Sequence, residues 1–300
     1  MKLQNQRAVA TAALILTAVI WGSGFMANQM AIDAGFSSGL ILLLRFFIAA
    51  AALLLVFRKK LFPMTKQELI YGGIAGFFMF CGFYTQTLGL MLTTPSNNGF
   101  YTALNVLMVP FIAWGFFKRR PPVKVFFSCA LCLAGMYVLS NSGGAFSFNT
   151  GDFLTVLCAF FFACHIAYLG VCSDKVAAAK LTFLQMAFAL GFSVVAFLAF
   201  DLKSVAQADF SAGLWPILYI GIFSTCICFF LQTFAQSRTN SGTAAVILCT
   251  ESLWCAVFSV LLGYEKATVH MALGGLIILV SVICVETDFK ALLRRPKRDA

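Results

Sequence analysis

Charged residues are scarce in this sequence, and their scarcity excludes most classes of soluble protein. Only 11% of its 300 residues are Asp, Glu, Lys or Arg, whereas soluble globular chains carry about 25%. Hydrophobic residues make up 61% and the mean hydropathy is +0.92, so a soluble enzyme is excluded. The net charge of +10 comes from short basic runs between apolar stretches, a pattern that indicates membrane topology and no nucleic-acid partner.

Motifs for catalysis or cofactor binding are also lacking. The sequence has no G-x-x-x-x-G-K-[ST] motif for ATP, and no second cysteine pair at zinc spacing accompanies Cys129 and Cys132. The eleven cysteines lie inside or at the end of apolar stretches, which favours packing roles. We therefore expect no metal, no cofactor and no catalytic residues, with an intramembrane enzyme as the least favoured alternative.

Apolar stretches dominate what is present. A membrane-spanning helix needs about 20 mostly apolar residues, and the first run exceeds the about 7–15 residues of a signal-peptide core. The connections are too short to hold a soluble domain. We predict an all-α integral membrane protein with ten transmembrane helices: Val9–Ala31, Ser38–Phe57, Leu69–Met91, Thr94–Phe117, Val125–Leu139, Phe153–Val171, Leu181–Phe200, Leu214–Phe234, Thr243–Leu262 and Met271–Val285.

The distribution of basic residues predicts the orientation. With a cytoplasmic N-terminus, 18 of the 21 Lys and Arg fall in cytoplasmic segments, and only Lys203 and Lys266 fall outside. Cytoplasmic loops are enriched in Lys and Arg. We therefore expect a multi-pass protein of the cell membrane with both termini in the cytoplasm.

The two halves of the chain resemble each other. Residues 84–89 match residues 230–235 at a shift of 146, and the same shift pairs Asn105 with Glu251. A shift of 140 pairs Arg45 with Gln185. Because five helices is an odd number, the second copy must enter the membrane inverted, as in many secondary transporters. The opposite signs of Arg119 and Glu265, which follow helices 4 and 9, agree with this inversion. We predict five-helix repeats at residues 9–139 and 153–285 and a basic cytoplasmic tail at 286–300.

Polar side chains within the predicted helices point to a cavity. Intramembrane polar groups are costly, so they normally face a cavity or a partner helix. Pro110 predicts a kink in helix 4 that leaves the carbonyl of Val106 unpaired. We expect the cavity to be bounded by helices 1, 3, 4, 6, 8 and 9, with helices 5 and 10 peripheral. The candidate substrate-binding or cavity-lining residues are Trp21, Tyr84, Gln86, Asn98, Thr102, Asn105, His165, Thr225 and Gln232.

Two charged residues lie well inside predicted helices. Glu251 is about 12 Å from the cytoplasmic end of helix 9 and Arg45 about 10 Å from the outer end of helix 2, at 1.5 Å per residue. Glu251 is a candidate to couple protons or contact the cargo, or else a structural carboxylate. Arg45 is a candidate charge partner of Glu251 or of an acidic substrate, although an arginine this near the outer end favours snorkelling outward. For His165, a hydrogen-bonded interior role is favoured over a proton relay.

The order of these features resembles the drug/metabolite transporter superfamily, specifically EamA-type permeases. The similarity is carried by residues 21–23, 45–46, 93–100, 232–236, Glu251, 263–265 and 274–275. The sequence departs from the family pattern at Ser252, where a proline often follows the glutamate, and at Phe162, where a tryptophan is usual. The resemblance implies two EamA repeats and a transporter of metabolites, amino acids, nucleosides or drugs, frequently outward.

The function expected from the sequence is therefore secondary transport. We predict an exporter of a small metabolite, amino acid or drug-like compound that works by alternating access. Its expected partners are a small-molecule substrate and membrane lipid, with a homodimer left open. A channel-like facilitator is the alternative, although no ring of charges or carbonyl filter is evident.

Overall fold

The computed structural model describes residues 2–140, 148–264 and 266–287, and within these ranges the chain is helical with no β-strand. Glu265 and residues 288–300 of the basic tail lie outside the described residues. The α-helices in chain order are α1 (Lys2–Asp33), α2 (Ser38–Leu61), α3 (Lys66–Leu90), α4 (Pro95–Ala103), α5 (Asn105–Gly115), α6 (Val123–Ser140), α7 (Thr150–Cys172), α8 (Ala178–Ala196), α9 (Phe210–Tyr219), α10 (Cys228–Gln236), α11 (Ser241–Leu248), α12 (Glu251–Leu261) and α13 (Val269–Glu286).

Two helices continue in other helical geometries. A π-helical segment, Phe197–Asp201, and a 3₁₀ turn, Leu202–Gln207, extend α8. A second π-helical segment, Ile220–Ile227, joins α9 to α10. The segments 178–207 and 210–236 are each long and apolar enough to cross a membrane.

Length and hydropathy make the chain a multi-pass membrane protein. Among the described residues, eight helices are long and apolar enough to span a bilayer, and 123–139 forms a shorter apolar helix. Large apolar side chains remain exposed on the outer faces, including Leu55 at 76% and Phe200 at 77%. Soluble monomers rarely expose contiguous apolar surface of this kind, so these faces are suited to lipid.

The predicted fourth helix is divided, and the division is not at Pro110. It separates α4 from α5 at Leu104, whose N–H donates to the carbonyl of Tyr101 at 3.2 Å. This i→i+3 bond is a single turn of 3₁₀ geometry. Pro110 lies inside α5, and the expectation of an unpaired Val106 carbonyl is wrong because the Cys129 thiol donates to it at 3.2 Å.

The predicted ninth helix contains a matching turn. The N–H of Thr250 donates to the carbonyl of Ile247 at 3.2 Å, and α12 begins at the next residue, Glu251. Ser252 replaces the proline expected from the family, so this turn forms without one. Leu104 and Thr250 are 146 positions apart, which is the shift that relates the two halves of the sequence.

The helices pack in pairs that connect the two halves. The α9–α10 span packs on α1, and α3 packs on α7. In the same way α11 and α12 pack on α1, whereas α4 and α5 pack on α7. The remaining large interfaces join α2 to α8, α6 to α13, α3 to α8, and α2 to the π-helical segment 220–227. The helices that pack on α7 in the first half thus correspond, one for one, to the helices that pack on α1 in the second half.

Two buried apolar clusters flank the centre of the molecule. One is formed mainly by residues of α1, α5, α6, α7, α11 and α13 and includes Leu14 and Met136. The other is formed mainly by residues of α1, α2, α3, α7, α8 and the α9–α10 span and includes Phe46 and Met79. Trp21 packs against both clusters, so it stands between them at the centre of the fold.

Two cysteines meet beside the second turn. Cys132 of α6 and Cys249, the residue after α11, bring their Sγ atoms into contact with Cα atoms 7.8 Å apart. Disulfide-linked cysteines usually have Cα atoms about 4.4–6.8 Å apart. We therefore describe them as adjoining thiols, a contact that the packing interpretation of the cysteines did not anticipate.

Glycines allow α6 and α13 to approach closely. Each helix has 18 residues, longer than the sequence suggested. A Cβ added at Gly274 would lie 2.4 Å from the backbone nitrogen of Leu139 and 2.5 Å from the carbonyl oxygen of Gly135. Neither backbone atom has room to move, so only glycine fits at this contact.

We predict that Gly274→Ala destabilises the protein by about 1–3 kcal/mol, the usual cost of overpacking. The measurement is thermal unfolding in detergent. Gly191→Ala is the matched control, because a Cβ at Gly191 of α8 meets nothing within 4 Å. Equal melting temperatures for the two variants would contradict the close packing of α6 on α13.

Candidate functional site

A small central cavity of about 50 Å³ lies between the two clusters. No residue of α6 or α13 contributes to its wall, in keeping with their peripheral packing. The lining residues are Trp21, Gly24, Phe25, Asn28, Arg45, Phe83, Gln86, Asn105, Phe162, His165, Ile166, Ile220, Ser224, Phe229, Gln232, Leu248 and Glu251.

The candidate residues from the sequence fall into two groups. Seven of them line the cavity: Trp21, Arg45, Gln86, Asn105, His165, Gln232 and Glu251. Four do not: Tyr84, Asn98, Thr102 and Thr225. Tyr84 instead stacks on Phe80, with ring centroids 5.5 Å apart.

Two of the residues behind the wall hold Gln86 in place. Asn98 is fully buried and donates to the carbonyl of Gln86 at 3.1 Å and to Oγ1 of Thr155 at 2.8 Å. The Gln86 amide in turn donates to Oγ1 of Thr102 at 3.1 Å. These bonds join α3, α4 and α7 and fix one side of the cavity.

Arg45 does not snorkel outward as expected. Its side chain is 2% exposed, its Nε donates to Oγ1 of Thr225 at 3.0 Å, and its guanidinium lies 3.7 Å from the centroid of the Phe83 ring. A cation over an aromatic face is stabilised when both are removed from water. Among the described residues no carboxylate comes within 4.0 Å of Arg45, so it shares the cavity with Glu251 without forming an ion pair.

His165 belongs to a chain of hydrogen bonds on another wall. Its Nε2 lies 2.9 Å from Oε1 of Gln185, and the amide nitrogen of Gln185 donates to Oγ1 of Thr233 at 3.2 Å. Because the amide oxygen only accepts, Nε2 must carry the proton. The chain ties α7, α8 and α10 together.

Glu251 is the first residue of α12, directly after the tightened turn, and is 6% exposed. Its carboxylate hydrogen-bonds none of the described residues and is directed to the cavity. Removing an ionised carboxylate from water costs about 2.5–3.5 kcal/mol on membrane-insertion scales. A carboxylate in this position therefore needs a ligand, a proton or water from the cavity.

Several amide groups of the wall also lack partners. Both amide atoms of Gln232 are buried with no hydrogen bond, and the same holds for Oδ1 of Asn28 and Oδ1 of Asn105. Buried polar groups are nearly always hydrogen-bonded. Three unpaired amides around one cavity therefore indicate that it accommodates polar groups from outside the protein.

The π-helical segment supplies residues that sequence analysis missed. Ser224 and Ile220 belong to it and line the cavity. The Trp21 indole nitrogen donates to the carbonyl of Ser224 at 2.8 Å. π-Helical turns often occur at functional sites, but no residue pattern in the sequence signals this one.

Metal binding finds no support in the part of the chain that the structure describes. Within it, no group of three or more His, Cys, Asp or Glu could hold an ion. The polar groups of the cavity wall are instead amides, one guanidinium, one carboxylate, one imidazole, one indole and one hydroxyl, which suit an organic ligand.

Comparison with known proteins identifies the family. The model of the EamA-like transporter family matches residues 9–141 and again 149–287. The chain belongs to the EamA-like transporter family. This confirms the resemblance noted in the sequence, and it makes the chain a membrane transporter with the cavity as the candidate site of its EamA-like fold.

Individual relatives agree with this assignment. An uncharacterized transporter of Archaeoglobus fulgidus is 32% identical over 286 residues, covering 93% of this chain and 86% of the relative. The uncharacterized inner membrane transporter YicL of Salmonella typhimurium is 23% identical, covering 94% and 96%. A solved crystal structure aligns with 95% of this chain and 99% of its own at a TM-score of 0.77 and 17% identity, which shows a shared fold.

The Asn98 amide is hydrogen-bonded and the Gln232 amide is not, so their replacement should affect the stability of the protein differently. Asn98→Leu should destabilise the protein by about 1–3 kcal/mol, because it removes two buried hydrogen bonds. Gln232→Leu should leave thermal stability unchanged or raise it, because the Gln232 amide has no bond to lose. Unfolding in detergent measures both, and a Gln232→Leu loss as large as that of Asn98→Leu would mean that Gln232 braces the fold.

Proposed function

We propose that this EamA-like protein is a secondary transporter that exports a small metabolite, amino acid or drug-like compound across the cell membrane by alternating access. One observation carries the proposal: a central cavity with two charged side chains and three unpaired amides lies within a bundle of membrane-spanning helices. Transporters place their substrate sites near the bilayer midplane, at the interface of their repeats and beside discontinuous helices.

The proposed architecture has ten membrane crossings in two inverted repeats. The α4–α5 pair counts as one crossing and α6 as another, added to the eight long spans. Two further observations support inversion. The tightened turns at Leu104 and Thr250 are separated by the repeat shift, and the interfaces between the halves are equivalent when the halves are exchanged.

In the proposed orientation Arg45 lies in the outer half of α2, and Ser224 lies near the middle of the span 210–236. Toward the cytoplasm, the amide of Gln236 donates to the carbonyl of Ile166 at 2.9 Å, and Gly170 packs against Ser241. A channel would need a continuous pore, and these contacts of α7 with α10 and α11 argue against one. An intramembrane enzyme would need a nucleophile hydrogen-bonded to a base beside the cavity. Ser224 and His165 both line it, but the described hydrogen bond of His165 goes to Gln185.

The proposed topology predicts the sides of two exposed positions. With the N-terminus in the cytoplasm, Ala206→Cys should react with a membrane-impermeant maleimide on intact cells. Phe62→Cys should react only after permeabilisation, since it follows α2 on the other side. The unmodified chain gives the background from its native cysteines, and equal labelling of both variants on intact cells would rule this topology out.

Glu251 is the proposed coupling or cargo-contacting group. In proteoliposomes with an imposed pH gradient and labelled amino acids, nucleosides or amphipathic amines, Glu251→Gln should abolish pH-driven accumulation. Exchange at saturating cargo should persist, because the amide keeps the size of the side chain but cannot titrate.

Glu68→Gln is the matched control for Glu251→Gln. Glu68 lies at the start of α3 and pairs with Lys180 at 2.9 Å, away from the cavity, so pH-driven accumulation should survive its replacement. An unchanged pH dependence in Glu251→Gln would remove proton coupling and leave facilitated diffusion or exchange.

A further inference from the structure

A second cavity lies on the surface of the helical bundle, away from the central cavity. It is a groove of about 460 Å³ between α12 and α13, and ligand sites commonly enclose about 300–1,000 Å³. Among the described residues that line it, Thr268 alone has a polar side chain. The groove and the central cavity share no lining residue, so the two spaces are separate.

The repeat indicates what occupies the corresponding position in the first half of the chain. The bounds of α5 and α12 differ by 146 positions at both ends, and so do those of α6 and α13. Between α5 and α6, the rings of Phe111 and Trp114 pack against Phe126, with centroids 5.4 Å and 6.4 Å from it. Aromatic side chains of the protein itself therefore occupy the space between these two helices.

The second half has small side chains where the first half has rings. The counterparts at a shift of 146 are Val257, Val260 and Ala272, and all three line the groove. Two valines and an alanine occupy less volume than three aromatic rings, so the groove is left open. An apolar wall without neighbours loses van der Waals contacts unless something fills the space. Lipid is the apolar material that surrounds a membrane-spanning bundle.

The groove has the length of an acyl chain within one leaflet. Its walls run from Leu253 to Leu261 on α12 and from Met271 to Leu279 on α13. Each wall spans about 12 Å at 1.5 Å per residue, and one leaflet supplies about 15 Å of hydrocarbon, half of a bilayer core. Leu261 and Leu276 are exposed along the groove, so a chain can enter from the side.

A cation stands at one end of the groove. Lys266 is exposed and directly precedes Ala267 and Thr268, which line that end. In the proposed orientation it is one of two Lys or Arg residues on the outer side, where basic residues are usually few. Its ammonium group is therefore placed to attract the phosphate of a lipid whose chain lies in the groove.

We propose that the groove between α12 and α13 binds an acyl chain of one phospholipid of the outer leaflet, with the lipid phosphate at Lys266. The bound chain takes the place that aromatic rings take in the first half. Bulk lipid is as apolar as the groove, so the preference for a bound lipid comes from packing and from the phosphate contact. The proposal goes beyond transport, because it concerns neither the cargo nor the central cavity.

Photocrosslinking of the purified full chain in detergent tests the proposal. The probe is phosphatidylcholine with a diazirine in one acyl chain, and crosslinked residues are located by mass spectrometry of peptides. Crosslinks should saturate at the residues of α12 and α13 that line the groove, and unlabelled phosphatidylcholine should compete for them. Diacylglycerol with the same chains lacks the phosphate and should compete at least tenfold less well. Glycerol phosphate lacks the chains and should not compete.

A variant designed from the repeat fills the groove. Ala272→Phe restores the ring that Phe126 supplies in the first half, so crosslinking in the groove should fall at least tenfold. Its melting temperature in lipid-free detergent should equal or exceed that of the unaltered chain, which shows that the variant folds. Leu273→Phe is the matched control, because Leu273 is exposed on α13 and does not line the groove. Its crosslinks should persist.

A second pair of variants tests the phosphate contact. Lys266→Gln removes the cation at the end of the groove, so phosphatidylcholine should compete about tenfold less well, as diacylglycerol does. Lys203→Gln removes the other cation of the outer side and should leave the competition unchanged.

Several results would overturn the proposal. They are crosslinks spread evenly over the exposed helix faces, crosslinks in the groove that survive Ala272→Phe, and equal competition by diacylglycerol and phosphatidylcholine. A dimer that forms without lipid and is lost in Ala272→Phe would assign the groove to a second copy of the chain instead. The mapping on the unaltered chain does not depend on whether any variant folds.

Discussion

Hydrocarbon supplies no hydrogen-bond partners, and this constraint organises the whole molecule. A polar side chain in a spanning helix is stabilised when it finds a partner within the protein or faces an internal space that admits water or ligand. Asn98, Gln185 and Gln236 are bonded between helices and fasten α3, α4, α7, α8 and α10 together. Gln232, Asn105 and Glu251 are not bonded, and all three line the same cavity.

Much of the fold follows from composition and periodicity. The apolar stretches locate the helices because a bilayer demands about 20 apolar residues per crossing, and the scarcity of charge excludes a soluble globule. The divided helices were harder to foresee. Pro110 is a recognised helix breaker, yet it lies inside α5, where the Cys129 thiol satisfies the Val106 carbonyl that the proline releases, and the division falls at Leu104. Such compensation depends on a residue 19 positions further along the chain and cannot be read from local sequence.

The site was predictable in its residue types but not in its geometry. Arg45, Gln232 and Glu251 stand out in sequence because polar groups in hydrocarbon are costly. Whether Arg45 points to solvent or inward depends on Phe83 and Thr225, which come from other helices. In the sequence Asn98 and Gln232 are both amides inside apolar stretches. In the structure the Asn98 amide donates two hydrogen bonds, whereas the Gln232 amide has no described partner. The π-helical segment that brings Ser224 to the wall has no sequence signature at all.

The two charges of the cavity also break the symmetry of the repeats. Asn105 occupies the first-half position that corresponds to Glu251, and Gln185 occupies the second-half position that corresponds to Arg45. Identical halves related by a two-fold axis would give a cavity with the same chemistry at both ends. Here each half carries one charge at a position where the other half has a neutral amide, and the two charges have opposite sign. Gln185 bonds His165 outside any ion pair. In the proposed arrangement the repeats thus retain the paired turns and interfaces needed for movement, and the divergence at these two positions gives the cavity the polarity that orients a ligand.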